Sequence, residues 1–287
     1  MNLIIGVSGK IGNYYQKYSR LKNNIYTSRS RICKRVLNFD FTKDRISSLF
    51  KNYKFKNAVL FSSISDPEKC EKNRTLSNNV NIKYTIKLLD FFIKNNIYFI
   101  FFSSEYVYSG IKNTLYNEKS VCNPKMIYAQ QKIEIENYIK NLKYKNCSVL
   151  RLSKTYGDQP GDQTIFSNLA YLYKKQQTLF KIANDQFFKP LFVKDLVKII
   201  DIFLKKKIKG TYNVCGDNYC SRYSLVKNFF KNKNIKNIII EKCSIRNFDK
   251  KILFPKYLNL DNRKIKKVIK FDFTKIRDGY KSLCINS

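Results

Sequence analysis

Asn2-Leu3-Ile4-Ile5-Gly6-Val7-Ser8-Gly9-Lys10-Ile11-Gly12 decides the fold: an apolar run breaks directly into three glycines spaced Gly-x-x-Gly-x-x-Gly. A strand that ends this way and opens a helix is the first turn of a dinucleotide-binding βαβ unit. Its glycines allow a tight turn, close approach of the backbone to a pyrophosphate and close packing of the helix, whose first amides face the anion. An ordinary glycine turn would share part of the pattern. With only nine glycines in 287 residues, three at this spacing after the first apolar run assign Gly6, Gly9 and Gly12, with Lys10 and Ile11 between them, to a cofactor.

Outward from this turn, short β-rich runs alternate with helical segments, the pattern of a parallel sheet covered by helices. Leu3–Val7, Ile25–Ser28, Ala58–Ser62, Ile97–Ser103 and Ser148–Leu152 are predicted strands, and their nearly continuous apolar character suits burial on both faces. Asn73–Lys94 and Tyr128–Leu142 are predicted helices. After Gly157 the pattern loosens into a polar turn, Asp158-Gln159-Pro160-Gly161-Asp162, followed by helical stretches at Phe166–Lys175 and Leu196–Lys206 and a strand at Gly210–Val214. The expectation is an α/β protein with a Rossmann-like doubly wound parallel sheet. Residues 1–156 form its NAD(P)-binding domain, and residues 157–287 mainly a smaller α+β substrate lobe, with some segments returning to the sheet.

Composition narrows the chemistry. A hydrophobic content of 44% with 15% aromatics excludes a disordered tail. No stretch approaches the ~20 apolar residues that a membrane span needs. Met1–Val7 has neither a basic leader nor a small-residue cleavage site, so a cytoplasmic protein is expected. The net charge of +35 would ordinarily suggest nucleic acid. The lysines are instead spread through the whole chain beside Asn, Ile, Phe and Tyr, all encoded by A/T-rich codons, so the charge reads as codon drift with some attraction for anionic nucleotides. Eight scattered cysteines, no C-x-x-C pair and no histidine leave no zinc site and no metal expectation. Without histidine, acid–base work falls to Tyr, Lys, Cys, Asp or Glu.

Tyr128-Ala129-Gln130-Gln131-Lys132 supplies such a pair, four residues apart on one helix face. Four other Tyr-x-x-x-Lys pairs occur, at Tyr18, Tyr108, Tyr171 and Tyr223, so the spacing alone decides nothing. What distinguishes Tyr128 is its place, one strand-to-helix step after Ser104, which ends a buried strand where open α/β sheets bind ligands. A lysine ammonium about 4 Å away is worth ~4 kcal/mol at an effective dielectric of ~20, enough to pull a tyrosine down from pKa ~10 by a few units. Tyr128 would then exchange a proton with a substrate oxygen that Ser104 also binds; a surface pair on an amphipathic helix is the plainer alternative. The second strand ends Tyr26-Thr27-Ser28-Arg29-Ser30-Arg31, hydroxylated and basic where NAD sites often carry an acid. That suits a ribose 2′-phosphate held by Arg29 with help from Lys10, hence NADPH, with NADH and simple surface charge as alternatives.

These residues resemble the extended short-chain dehydrogenase/reductase family over nearly the whole chain. Ser103-Ser104-Glu105-Tyr106-Val107-Tyr108-Ser109-Gly110 is similar to its catalytic Ser/Thr segment, Asn81-Ile82-Lys83-Tyr84-Thr85 to its Asn-Val-x-Gly-Thr segment, and Arg151-x-x-x-Thr155-Tyr156-Gly157 to a third. Tyr116-x-Glu118, Pro124 and Glu136 agree as well. Asp185-Gln186-Phe187-Phe188-Lys189-Pro190, followed by Asp195-Leu196, is similar to the Asp-Gln-x-Gly-x-Pro-Thr segment of dTDP-4-dehydrorhamnose reductases. The resemblance implies NADPH-dependent reduction of a 4-keto group on a nucleotide-linked deoxysugar, with Ser104, Tyr128 and Lys132 catalytic. It implies further cofactor contacts from Asp40 and Phe41 at the adenine and from Ser62 and Ser63, and substrate contacts from Glu105, Tyr106, Arg151, Gln186 and Lys189. The expected partner is a nucleotide sugar, with no membrane or nucleic acid, and a homodimer is left open. Ser62-Ser63, Tyr84, Ile135, Phe188 and Leu191 depart from the family pattern. A sugar-nucleotide epimerase or dehydratase, a non-catalytic cofactor-binding homologue and, further off, a nucleic-acid-binding protein are the alternatives.

Overall fold

Leu3, Ile4 and Ile5 are each at most 1% exposed, so the first strand has no solvent face and needs helices on both sides. The computed structural model, which describes residues 1–30, 36–248 and 251–283, places it near the middle of a seven-stranded sheet. Arg31, Cys33 and Cys284 lie outside the described residues. The strands run in the order Gly210–Val214, Cys147–Leu152, Tyr98–Ser104, Asn57–Leu60, Asn2–Ile5, Asn24–Ser28, Val36–Asn38. Every pairing is parallel. The chain winds outward in one direction from Asn2–Ile5 and in the other from Asn57–Leu60. Their junction is the topological switch point where doubly wound sheets bind ligands.

Alternate side chains of each strand enter opposite layers. Ile4, Val59 and Ile100 pack on the helices Lys10–Tyr18 and Val193–Lys206 through Tyr15, Leu196 and Phe203. Leu3, Ile5 and Phe99 pack on Thr85–Lys94 and Ile127–Asn141 through Phe92 and Ile139. A third core, built on Tyr156, Phe166, Phe188, Phe229 and Leu258, holds together much of the chain after Gly157. There Cys220–Ser221, Phe187–Phe188, Tyr257–Leu260 and Leu115–Tyr116 form a small sheet, and Leu179–Ala183 pairs with Ile239–Cys243. No helix among the described residues is long and apolar enough to cross a membrane.

The stretch expected as one helix, Asn73–Lys94, is three pieces: Arg74–Asn78, a π-helical turn Asn79–Tyr84, and Thr85–Lys94. Asn73 caps the first piece through Leu76 N (2.9 Å). In the wide turn Asn81 is drawn inward, its Oδ1 accepting from Ile64 N (2.8 Å) and its Nδ2 donating to Ile64 O (2.9 Å) and Gln131 Oε1 (2.7 Å). A helical period shows that apolar residues share a face. It does not show where one extra residue widens the turn, a feature often found near functional sites.

Candidate active site

The glycine turn is shaped by close approach. Gly6 has φ +88°, and a Cβ there would lie 2.1 Å from Ser62 Oγ and 2.8 Å from Ser62 N. A Cβ on Gly12 would lie 2.6 Å from Gly6 O and 2.7 Å from Val7 Cα, so the helix rests directly on the turn. Gly9 differs: beyond it the nearest atom to a Cβ is Gly6 O at 3.6 Å, and as N-cap it offers no side chain to the helix's first amides. Those amides, in a first turn without acidic residues, are free to take an anion. The turn forms one wall of a cleft of ≈ 510 Å³, and the loop Gln159–Gln163 forms another. Lys10 Nζ crosses it to Gln163 O (2.9 Å), and the Tyr14 hydroxyl donates to Asp162 Oδ2 (2.6 Å). Ile11 packs against the core rather than into the cleft.

A second cleft, ≈ 530 Å³, is lined by Phe41, Thr42, Lys43, Tyr84 and Lys87 among others. Asp40 lies at its rim and accepts from Thr42 N (3.0 Å) and Thr42 Oγ1 (2.6 Å). Partial desolvation pulls the Asp40 carboxyl upward, but those bonds and the charges of Arg29 and Lys43 hold it below its usual value. Arg29 itself is exposed at the end of the second strand, and Ser62 and Ser63 are half-buried after the strand Asn57–Leu60. The residues present fit a dinucleotide: an open glycine N-cap, a bare helix terminus and a basic strand end share one edge of the sheet.

Ser104 ends its strand on that same edge, in register with Leu152. Its Oγ accepts from Tyr106 N (3.3 Å), leaving its own proton to donate. Lys132 Nζ lies 5.5 Å from the centre of the Tyr128 ring and 5.0 Å from that of Phe101. The structure thus brings Ser104, Tyr128 and Lys132 together, but it reverses the expected electrostatics. Burial pushes the Tyr128 hydroxyl up, with Cys70 and Tyr106 adding to the rise and Ser104 opposing it, and burial brings Lys132 down to about 8. Both side chains are under 10% exposed, and the loss of water is the largest influence on each. Tyr128 therefore keeps its proton.

Glu105, Tyr106 and Gln186 gather beside Ser104. Glu105 is 2% exposed; its Oε2 accepts from Ser153 Oγ (2.6 Å) and its Oε1 from Lys154 N (3.1 Å). Burial raises its carboxyl to about 7. Burial likewise raises Tyr106, whose hydroxyl faces the Gln186 side chain, to about 12. Arg151 and Lys189 lie against acceptors of the protein itself. Arg151 binds Glu136 with Nη2 to Oε2 at 2.6 Å, and also donates to the Tyr108 hydroxyl (2.8 Å) and Glu118 O (3.3 Å). Against the pull of burial, Glu136 pushes its pKa further up. Lys189 Nζ donates to Leu260 O (2.8 Å). Both are engaged by the protein's own acceptors.

Sequence reasoning missed Lys154, Arg222 and Gln131. Lys154 follows the strand Cys147–Leu152 inside the Arg151–Gly157 segment, and Arg222 opens the helix Arg222–Asn232. Gln131 precedes Lys132 and donates to Ser77 Oγ and Asn78 Oδ1, both at 2.8 Å, holding the helix Ile127–Asn141 against Arg74–Asn78. Lys154 could have been found inside its motif. Nothing marks Arg222 among so many basic residues.

A family model described as RmlD substrate binding domain matches residues 1–286. Spore coat polysaccharide biosynthesis protein SpsK of Bacillus subtilis is 25% identical over 209 residues, 73% of this chain and 71% of that one. A dTDP-4-dehydrorhamnose reductase of Aggregatibacter actinomycetemcomitans is 23% identical over 233 residues, 77% of this chain and 75% of that one. The crystal structure of dTDP-4-dehydrorhamnose reductase from Bacillus anthracis, in complex with NADP, superposes with a TM-score of 0.84 at 19% identity, covering 98% of this chain and 97% of that one.

Proposed function

The chain belongs to the RmlD substrate binding domain family, and from that premise we propose that it is an NADPH-dependent reductase of a 4-keto group on a nucleotide-linked deoxysugar. The observation that carries this reading is the convergence of Ser104, Tyr128 and Lys132 at the sheet edge that also bears the glycine turn. A reduced nicotinamide bound there supplies the hydride. Gly6, Gly9 and Gly12 would hold the pyrophosphate by backbone amides, Arg29 with Lys10 the 2′-phosphate, Asp40 and Phe41 the adenine side, and Ser62 and Ser63 the stretch beside Gly6. Ser104 donates a hydrogen bond to the carbonyl oxygen. Tyr128, protonated because it is buried, gives that oxygen its proton as negative charge develops. The Lys132 ammonium favours the resulting tyrosinate through the short, water-poor space between them.

The test is NADPH oxidation with a dTDP-linked 4-keto-6-deoxysugar by wild type and Tyr128→Phe. We expect turnover to fall by about 10³-fold with NADPH affinity unchanged. An unchanged rate removes Tyr128 from the reaction. Cofactor retained through purification, with no net NADPH consumption, would make the enzyme an epimerase instead.

A further inference from the structure

Beside Ser104 lie two cations with open hydrogen-bonding groups among the described residues. Arg222 Nε is buried with no hydrogen-bond partner, and Lys154 Nζ makes no hydrogen bond or ion pair among the described residues. The facing acid, Glu105, already has its two oxygens engaged by Ser153 and the Lys154 backbone. Gln186, 1% exposed, is fixed through its carbonyl, which accepts from Arg222 N (2.8 Å), yet its Oε1 has no partner. A buried guanidinium Nε without an acceptor is costly, and so is an orphaned amide oxygen, while the half-buried Lys154 adds a partly desolvated charge beside them. Such a group persists where a ligand completes it. Glu105 and Tyr106 directly follow Ser104, and Lys154 lies two residues past Leu152, the register partner of Ser104, which puts the cluster beside Ser104, with Lys10 of the glycine turn facing Lys154 from the cofactor side.

We propose that Lys154 and Arg222 form an oxyanion pocket, with Gln186 as its neutral third member, and that the nucleotide-linked sugar accepted here carries a carboxylate. The inference rests on the nucleotide-sugar reading above and departs from it at C6, where a carboxylate stands in place of the deoxysugar's methyl group. Lys154 and Arg222 supply charge-assisted donors to the two carboxylate oxygens, while Gln186 fixes a neighbouring hydroxyl of the ring through its free Oε1. The groups facing Lys154 are Arg222, Glu105 and Lys10 from the glycine turn; those facing Arg222 are Tyr106, Glu105 and Cys243. Burial and the two neighbouring cations bring Lys154 down to about 7, so its ammonium is present below that pH and lost above it. An acidic sugar should accordingly bind more tightly on the acid side.

Two ligand pairs test this on NADP⁺-saturated protein by calorimetry: glucuronate against glucose, and dTDP-glucuronate against dTDP-glucose. We expect the acidic member of each pair to bind about tenfold more tightly at pH 6 than its neutral partner, the gap to shrink at pH 8.5, and Lys154→Gln and Arg222→Gln each to erase it without weakening the neutral ligand. NADP⁺ affinity reports that each variant is folded. Equal binding within both pairs, or an acid preference that survives both substitutions, overturns the proposal. If dTDP-glucose and dTDP-glucuronate bind equally and both substitutions weaken both, the cluster holds the diphosphate and the acidic sugar is likewise overturned. An acid preference among the free sugars, with neither nucleotide sugar bound, keeps the oxyanion pocket and removes the nucleotide reading alone.

Discussion

Arg151, buried, and Lys154, half-buried, stand three residues apart at the end of one strand, and their surroundings meet them in opposite ways. Arg151 is closed: Glu136 faces it at 2.6 Å, Tyr108 and Glu118 take further donors, and the Tyr108 hydroxyl continues to Asn213 Oδ1 (2.9 Å). Lys154 is open, with Arg222 and the already engaged carboxylate of Glu105 beside it and no side-chain bond among the described residues. The Arg151 network ties the helix Ile127–Asn141 to the sheet, whereas among the described residues no side-chain bond of Lys154 ties it to another element. A buried charge whose partners are all present is part of the architecture, and one that lacks them marks a place for something else.

The sharpest test of this contrast is a pair of substitutions with opposite signs. Arg151→Met strands the Glu136 carboxylate in the interior and should lower stability by about 3–5 kcal/mol in urea unfolding. Lys154→Met removes a cation whose desolvation the nearby Glu105 only partly offsets and should raise the stability of the ligand-free protein by about 1–2 kcal/mol. Destabilisation by both would break the comparison. The second effect has a pH signature. The folded-state pKa of Lys154 lies below its ordinary 10.5, at about 7, so between those values the unfolded chain binds more protons and this group's contribution to stability rises with pH. The gain from Lys154→Met should therefore be largest below pH 7 and fade toward pH 10. The smallest effect belongs to exposed Arg29: Arg29→Ala should leave stability within about 0.5 kcal/mol and weaken NADPH about tenfold more than NADH. Equal losses for the two cofactors would remove the 2′-phosphate contact.

Much of the fold was legible because its determinants are local. Leu3–Ile5 and Tyr98–Phe102 are apolar on consecutive residues, which demands a sheet covered on both faces, and the glycines after Ile5 can serve few conformations other than a tight turn. The edge strand Val36–Asn38 and the pairing of Leu179–Ala183 with Ile239–Cys243 were not legible. Both are short, and the second joins segments some sixty residues apart whose partners no pattern announces. Within the site, Ser104, Tyr128 and Lys132 could be named from order and spacing. Their protonation could not: Tyr128 retains its proton because the fold removes its water, with Cys70 and Tyr106 adding to the rise.

The sequence by itself determined the parallel sheet, the glycine turn and the residue types available for acid–base work, because periodicity, turn chemistry and composition act over a few residues at a time. Only the tertiary structure decided which of the chain's many basic residues are neutralised and which are left open. Arg151 found Glu136 on a neighbouring helix, while Lys154 met Arg222 from a helix nearly seventy residues away. Charge pairing and desolvation depend on distances through space, which a linear pattern does not contain.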